Sequence, residues 1–297
     1  MGTLETIATS LLLTGATGLV GSRLPPRLDE AGFDCRALVR GDVALPPGPL
    51  VIRGDLADPD SLQPAVEGVE AVVHLAALFR TDDEDAIWRA NLDGTRNLIA
   101  RCRRARTRGA LRRGQHRQRL QRRCGAPEPG DRRVHAHLAY PGSKVAAEAL
   151  LRASRLTWSI LRLPFVYGDG DGHLASMPAL ARRFGLLPAN AYSVGHHRDV
   201  MTAVGLVLSG AMDARSVNVA DDAPVTVLKM TELSGNPIEG SAEPLANPWS
   251  GRIDTTLAHQ LGYPTYSAHH PRGSSRRDPL ATIQRQAPPR RECRFVA

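Results

Sequence analysis

The strongest structural signal in the chain is the segment Ile7-Ala-Thr-Ser-Leu-Leu-Leu-Thr-Gly-Ala-Thr-Gly-Leu-Val-Gly21. An apolar run stops at Thr14, and glycines follow at positions 15, 18 and 21. This order predicts a buried strand, a tight turn and a helix start, because glycine allows sharp turns and close approach of a ligand to the backbone. Free N–H groups and the helix dipole at that point favour a pyrophosphate. A turn of the same shape without a ligand remains the alternative.

Strand-like and helical segments alternate along the chain. Over the first hundred residues we predict strands at Leu11–Leu13, Cys35–Val39, Leu50–Ile52 and Ala71–Leu75, and helices from the glycine turn to Glu30, at Ser61–Val66 and at Asp85–Arg104. Further on we predict helices at Ser143–Ala153 and Pro178–Arg183, and strands at Thr157–Leu163, Ser216–Val219 and Val225–Val227. This alternation is typical of right-handed βαβ units, so we expect an α/β fold with a Rossmann-type, doubly wound parallel sheet.

The pattern divides the chain into three parts. We expect a dinucleotide-binding domain over residues 1–165 and a smaller C-terminal substrate lobe over 166–265. Residues 266–297 are rich in Pro, Ser and Arg and are predicted to form an irregular tail.

The positive charge of the chain is local. Thirteen arginines between Arg101 and Arg133 face two acids, Glu128 and Asp131, so this segment carries +11 while the whole chain carries +8. The remainder is therefore acidic, and the Arg-rich segment has no aromatic residue on which a base would stack. We expect no nucleic-acid partner.

Cysteine usage and hydropathy indicate a cytoplasmic protein. The four cysteines, at positions 35, 102, 124 and 293, lie far apart and form no C-x-x-C pair, so neither a disulfide framework nor a zinc site is predicted. No apolar run reaches the roughly 18 residues that a membrane span needs, and we recognise no signal peptide. We therefore expect no membrane partner.

A second constellation, Tyr140-Pro-Gly-Ser-Lys144, carries the chemistry. The tyrosine and the lysine are four residues apart, so on a helix they share a face. A free tyrosine has a pKa of about 10, and a nearby ammonium favours its phenolate over the neutral phenol. In isolation, a surface pair on a helix is the alternative interpretation.

Together these pieces resemble the extended short-chain dehydrogenase/reductases, the group of NAD-dependent epimerases and dehydratases. The resemblance covers roughly residues 7–110 and 138–263. It is carried, in the family's order, by Thr14-Gly-Ala-Thr-Gly-Leu-Val-Gly21, Gly54-Asp-Leu56, His74-Leu-Ala-Ala77, Asn91-Leu-Asp-Gly-Thr95, Tyr140-Pro-Gly-Ser-Lys144, Leu161-Arg-Leu-Pro-Phe-Val-Tyr-Gly168 and His197-Arg-Asp-Val200.

The resemblance implies an NAD(P)-dependent oxidoreductase, epimerase or dehydratase that acts on a hydroxyl or keto group of a sugar nucleotide or similar small molecule. Tyr140 is implied as the acid/base and Lys144 as its partner, and we expect the Lys144 ammonium together with an oxidised nicotinamide to lower the pKa of Tyr140. By analogy, helix pairs near Asp85–Arg104 and Ser143–Ala153 form a homodimer. The implied cofactor-binding residues are Gly15, Thr17, Gly18, Leu19, Val20, Gly21, Arg40, Asp55, Leu56, Leu75, Ala76, Ala77, Asn91, Tyr140, Lys144, Pro164 and Val166.

Several of these residues have alternative roles. Arg40 stands near the position of the acid that binds the ribose in NAD-specific sites, which favours NADP over NAD, unless Arg40 is merely solvated. Asp55 is either an adenine ligand or a turn acid. Asn91 either bonds the sheet backbone or active-site region, or is exposed. His74 is expected to be packed rather than catalytic. His196, His197 and Asp199 do not suggest a metal site, because adjacent histidines are poorly placed for one ion.

The family's Ser or Thr before the tyrosine helix has no counterpart, because residues 111–137 contain neither amino acid. This favours an alternative function, that of a catalytically impaired NAD(P)-binding sensor or scaffold. We hypothesise that residues 108–137 arise from a frameshift, since Arg113–Arg119 admits codons that, read one base later, give Val-Val-Asn-Ile-Gly-Ser. If the chain is made as written, we expect this segment to be exposed and irregular, because burying its unpaired guanidiniums is prohibitive.

Overall fold

The computed structural model describes residues 9–79, 81–109, 139–264 and 294–297. The described residues fall into two units. The first extends to Trp158 and includes Arg294, Phe295 and Ala297, and the second begins at Ser159 and includes Val296. The division lies close to the predicted domain boundary at residue 165.

In the first unit the element bounds follow the predicted alternation closely, whereas the second unit also contains strands and helices that were not predicted, the longest of them the helix His197–Ser209. The strands are β1 Ser10–Thr14, β2 Asp34–Val39, β3 Leu50–Arg53, β4 Ala71–His74, β5 Thr157–Arg162, β6 Phe165–Tyr167, β7 Ala191–Tyr192, β8 Val194–His196, β9 Arg215–Asn218, β10 Val225–Thr226 and β11 Arg294–Val296. The α-helices are α1 Pro25–Glu30, α2 Gln63–Val66, α3 Glu84–Trp88, α4 Gly94–Gly109, α5 Ala139–Arg152, α6 Met177–Phe184, α7 His197–Ser209, α8 Val227–Leu233 and α9 Thr256–Gln260. A π-helical turn, Arg89–Asp93, joins α3 to α4, and 3₁₀ turns lie at Gly21–Arg23, Asp60–Leu62 and Leu174–Ser176.

The sheet of the first unit has the strand order β3-β2-β1-β4-β11. β1 pairs in parallel with both β2 and β4, and β2 pairs in parallel with β3. The chain therefore builds outward from β1 to β3 on one side and then crosses to β4 on the other. This reversal is the topological switch point of an open α/β sheet, beside which ligands bind. The predicted fold class, a Rossmann-type parallel sheet, is confirmed.

The two central strands form the core of this unit. Leu11, Leu12 and Leu13 of β1 are fully buried, as is the whole of Ala71–Val73 in β4. Strands covered on both faces read as continuous apolar runs, which is why these segments could be recognised from the sequence. Leu28 of α1 and Leu98 of α4 are also fully buried, and α1 packs on β2.

The second unit pairs β5 with β9 and β6 with β8 in parallel, and β7 with β10 antiparallel. Helix α7 is buried along most of its length. A separate apolar cluster joins α6, β8 and α8; its buried members are Met177, Ala181, Val194, Val227 and Met230. Val227 begins helix α8 instead of extending the predicted strand, because the Thr226 hydroxyl accepts a hydrogen bond from Lys229 N and caps that helix.

The predictions for residues 108–137 and for the tail have different outcomes. Helix α4 continues to Gly109, and residues 110–138, with the frameshift hypothesis, lie outside the described residues. Residues 265–293 also lie outside them. The prediction of an irregular tail is wrong for Arg294–Val296, which form β11 beside β4, because Phe295 and Val296 become buried there.

Within the part of the chain that the structure describes, no helix has the length and apolar character to cross a membrane.

Candidate active site

The glycine turn after β1 is closely packed. Gly15 has a φ of 76°, and the Gly18 N–H donates to its carbonyl at 2.9 Å. A Cβ on Gly15 would lie 2.6 Å from Ala76 N, and one on Gly21 would lie 2.1 Å from Gly15 O. Larger residues at these two positions would have to open the turn. Thr17 and Gly18 at its tip are exposed.

This turn lies at the carboxyl ends of β1 and β4. Thr14 and His74 are partners in the β1–β4 ladder, and Leu75 N donates to Thr14 O at 3.2 Å. The backbone of Leu75 and Ala76 therefore passes directly beside Gly15. Small alanines next to a glycine turn leave the backbone accessible on this edge of the sheet.

His74 joins the two strand ends to the following helical segment. Its Nδ1 lies 2.7 Å from Thr14 Oγ1, and its Nε2 lies 2.9 Å from Thr95 Oγ1. The Thr95 hydroxyl donates its single proton to Asn91 O at 2.6 Å, so Thr95 must accept from Nε2–H. A neutral imidazole has one N–H, and Nδ1 therefore accepts from the Thr14 hydroxyl. These bonds fix the tautomer of His74. They also fix the direction of donation, which runs from Thr14 to His74, from His74 to Thr95 and from Thr95 to Asn91 O.

The His74 ring is neutral at ordinary pH. It is 3% exposed, and burial, assisted by the positive charge of Lys144, lowers its pKa to about 3. A buried imidazole held between two hydroxyls is a packed, positioning histidine, as expected from the sequence. Phe295 of β11 packs against it, with the ring centroids 5.7 Å apart.

Asn91 extends this network to α5. In the π-helical turn it is buried, accepts from Leu78 N at 2.8 Å and donates to Leu78 O at 2.9 Å. Its amide also donates to Ser143 Oγ at 3.1 Å, and the Ser143 hydroxyl donates to Tyr140 O at 2.8 Å. The sequence left open whether Asn91 is hydrogen-bonded or exposed, and in the structure it is hydrogen-bonded and buried. Its direct role in cofactor binding stays a prediction.

Tyr140 and Lys144 lie one turn apart on α5, which packs against α3 and the π-helical turn. The Tyr140 side chain contacts Phe79, with ring centroids 5.5 Å apart, and 36% of the residue remains exposed. Burial of the rest raises the pKa of Tyr140 above its ordinary value. In the protein by itself, desolvation of the phenolate is the dominant effect, whereas the lowering expected with a nicotinamide bound stays a prediction.

Burial also acts on the lysine. It lowers the pKa of Lys144, and the carboxylate of Glu148 partly opposes that shift. Among the described residues, Lys144 Nζ makes no hydrogen bond or ion pair. A desolvated ammonium with unused donors, one helical turn from Tyr140 and near enough to His74 to affect its pKa, is suited to bind hydroxyl groups.

Comparison with known proteins identifies the family. A family model described as the NAD dependent epimerase/dehydratase family matches residues 11–220. The chain belongs to this family. The sequence resemblance to extended short-chain dehydrogenase/reductases is thereby confirmed.

Curated relatives match part of the chain. Ceramide reductase from Caulobacter vibrioides is 33% identical over 183 residues, which are 59% of this chain and 52% of that protein. Sterol demethylase protein B from Methylococcus capsulatus is 42% identical over 100 residues, which are 32% of this chain and 30% of that protein. The chain thus spans about half or less of the length of these relatives.

Solved structures match a larger share of the chain. WbmG from Bordetella bronchiseptica, crystallised with NAD, has a TM-score of 0.66 and 19% identity, covering 90% of this chain and 92% of that one. UDP-glucose 4-epimerase from Thermotoga maritima, crystallised with UDP-glucose, has a TM-score of 0.63 and 20% identity, covering 94% and 97%. At these identities the likeness shows the fold.

Other predicted family residues in the first unit lie at the ends of neighbouring strands. Arg40 is exposed and follows β2 directly, whereas the nearby Asp42 pairs with Arg53. Asp55 follows β3, and its carboxylate accepts from Ala57 N at 2.9 Å, so Asp55 acts as a turn acid in this structure. One carboxylate oxygen suffices for that bond. The adenine contact predicted for Asp55 stays a prediction.

The remaining predicted positions occupy different surroundings. Leu19 and Val20 in the glycine turn are half-buried, and Leu56 packs against Gly94, where an added Cβ would lie 3.0 Å from Leu56 Cβ. In the second unit, Pro164 lies against Gly195, and Val166 is buried in β6. Across the described ranges, no group of three or more His, Cys, Asp or Glu side chains is arranged to hold a metal ion.

Sequence reasoning missed the side chains that tie the site together. Thr14, Thr95 and Ser143 each fall inside a motif quoted for the resemblance, but no role was predicted for their hydroxyls. Their partners lie 60, 21 and 52 residues away along the chain. The signal that could have found them was the position of two hydroxyls: Thr14 ends a strand, and Thr95 lies one helical turn after Asn91.

Proposed function

We propose that this chain is an NAD(P)-dependent oxidoreductase of the epimerase/dehydratase kind. In our proposal it acts on a hydroxyl or keto group of a sugar nucleotide or similar small molecule. The observation that carries the proposal is the pairing of Tyr140 and Lys144 on α5, anchored through Ser143 and Asn91 to the loop that leaves β4. Membership of the family supports the reaction class.

The residues present fit a nicotinamide dinucleotide. At Gly15 and Gly21 the glycine turn is too tightly packed for any side chain. The backbone N–H groups of such a turn are the donors that a diphosphate requires. The alanines after β4 leave space for a ribose at the switch point. We propose that Gly15, Thr17, Gly18, Leu19, Val20, Gly21, Asp55, Leu56, Leu75, Ala76 and Ala77 line the cofactor, whereas Pro164 and Val166 stay predictions from the family resemblance.

Tyr140 would transfer the proton of the reaction. When bound, the dinucleotide supplies the hydride acceptor or donor. In oxidation, Tyr140 accepts the proton of the substrate hydroxyl as the carbon bearing that hydroxyl loses hydride; in reduction, Tyr140 returns the proton to the carbonyl oxygen. The ammonium of Lys144 stabilises the phenolate and so opposes the desolvation that raises the pKa of Tyr140. Lys144 also donates to ribose hydroxyls with its unused N–H groups.

We propose NADP as the favoured cofactor. Arg40, exposed directly after β2, has no partner among the described residues, whereas the carboxylate of Asp42 pairs with Arg53. A guanidinium at this strand end accommodates a ribose phosphate, and an acid there would select the free hydroxyl. NAD is the second candidate, since similar structures were crystallised with it.

Substitution of the tyrosine tests this function. We expect Tyr140→Phe to lower turnover at least a hundredfold while NADP still binds, because only the proton donor is removed. Tyr192→Phe, which removes a hydroxyl in the second unit, is the control and should retain activity. The assay follows nicotinamide absorbance with nucleotide sugars and with lipid and steroid ketones, since the curated relatives include proteins named for both ceramide and steroid substrates. Equal turnover by wild type and Tyr140→Phe would contradict the role of Tyr140.

A second candidate function follows from the lack of Ser and Thr in residues 111–137. A chain that binds NADP but lacks the hydroxyl that polarises the substrate oxygen would act as an NAD(P)-binding sensor or scaffold. Saturable NADP binding without turnover on the whole substrate panel would favour that function. A cytoplasmic location and a homodimer remain part of the proposal.

A further inference from the structure

Strand β11 lies beside β4 in the sheet although it is far along the chain. Glu70, immediately before β4, donates its N–H to Ser10 O on the β1 side at 2.8 Å. On the other side its carbonyl accepts from Arg294 N at 2.7 Å. Phe295 is 1% exposed and belongs to the largest fully buried side chains of the described residues.

The sequence between β4 and the tyrosine helix is poorly suited to this position. Leu111-Arg-Arg-Gly-Gln-His-Arg-Gln-Arg-Leu-Gln-Arg-Arg123 would bring guanidiniums into a sheet that is covered on both faces. By contrast, Arg294-Phe295-Val296 offers an aromatic and a β-branched residue, the types that strands prefer.

We propose that the edge of β4 opposite β1 is an acceptor site for an extended peptide, and that residues 294–297 of this chain are its occupant. Main-chain bonds such as Arg294 N to Glu70 O supply sequence-independent affinity, and burial of the Phe295 ring against His74 supplies selectivity. The ligand class is therefore a short strand with an aromatic residue followed by an apolar one. The acceptor site does not require the proposed turnover, whereas its coupling to the glycine turn, argued next, rests on the proposed dinucleotide binding.

Occupation of the acceptor site supports the glycine turn. The Phe295 ring packs on His74, which is hydrogen-bonded to Thr14 immediately before the turn and to Thr95 in α4. Removing the aromatic ring leaves a cavity beside this network. The carboxyl ends of β1 and β4, which carry Thr14 and His74, should then be held less firmly. We therefore infer that the peptide site and the dinucleotide site are coupled.

The first test compares two phenylalanine variants of the full chain. Phe295→Ala should lower the thermal midpoint by about 10 °C, because it empties a fully buried site. Phe184→Ala, at a residue that is 63% exposed, is the matched control and should leave the midpoint nearly unchanged. Equal midpoints for the two variants would overturn the proposal.

The second test supplies the strand from outside. A synthetic peptide with the sequence of residues 292–297 is added to Phe295→Ala, and a peptide of the same sequence carrying F295A is the control. We expect the first peptide alone to raise the midpoint and to strengthen NADP binding severalfold. If Phe295→Ala is destabilised and this peptide has no effect on it, the acceptor site is refuted. Phe295 is then an ordinary core residue.

Discussion

His74→Gln should change how the stability of the protein depends on pH. In the wild type the imidazole is held neutral between Thr14 and Thr95, and burial with the charge of Lys144 lowers its pKa to about 3. Glutamine keeps a side-chain amide that reaches toward Thr95, but it cannot be protonated. The two proteins therefore differ in one titrating group.

The size of the effect follows from the shift. Above pH 6.5 the histidine is neutral in both folded and unfolded chains and adds no pH dependence. Below pH 6.5 the unfolded chain binds a proton that the folded chain refuses until pH falls to about 3, so the folded state loses stability as pH falls. At pH 5 this loss is about 2 kcal/mol, at 1.36 kcal/mol per unit over roughly 1.5 units.

Urea unfolding at pH 7.5 and pH 5 measures this loss. The free energy of unfolding of the wild type minus that of His74→Gln should be about 2 kcal/mol smaller at pH 5 than at pH 7.5. His259→Gln, which removes a histidine from the second unit, controls for the loss of an imidazole elsewhere. A difference between wild type and His74→Gln that is the same at both pH values would show that His74 titrates normally and would refute its buried, neutral state.

Three further substitutions test the site. Gly21→Ala should weaken dinucleotide binding more than tenfold in a calorimetric titration, because its Cβ would overlap Gly15 O, whereas Gly41→Ala, with open space around it, should bind normally. Arg40→Asp should reduce the ratio of NADP to NAD affinity by about tenfold, since repulsion replaces attraction for the ribose phosphate; an unchanged ratio would contradict the NADP proposal. Asn91→Ala should cost about 1–3 kcal/mol of unfolding free energy in urea, because the Leu78 backbone loses its partners. An unaffected Asn91→Ala variant would argue against the positioning network.

Most of the first unit could be predicted because its signals are local. The buried run of β1 and the glycines that follow it are contiguous in sequence, and the structure starts and ends these elements within a few residues of the predicted bounds. The helix predicted over Asp85–Arg104 is less regular than expected. It contains a π-helical turn at Asn91, whose side chain bonds Leu78 and Ser143, and periodicity alone carries no information on such distant partners.

The rest depended on contacts between distant segments. The pKa of Tyr140 is raised because tertiary packing buries the ring, and the spacing of Tyr140 and Lys144 could indicate only that they share a face. Strand β11 is three residues long and follows a segment rich in Pro and Arg, so its place beside β4 has no local signature. The role of His74 was predictable in kind, but its two hydroxyl partners were not.

Titration of the purified chain with NADPH, followed by nicotinamide fluorescence, tests the central claim most directly. We expect saturable binding with one site per chain, strongly weakened in Gly21→Ala and retained in Tyr140→Phe. Folded wild-type protein that binds neither NADPH nor NADH, or that binds them equally well with Gly21→Ala, would contradict a dinucleotide site at the glycine turn.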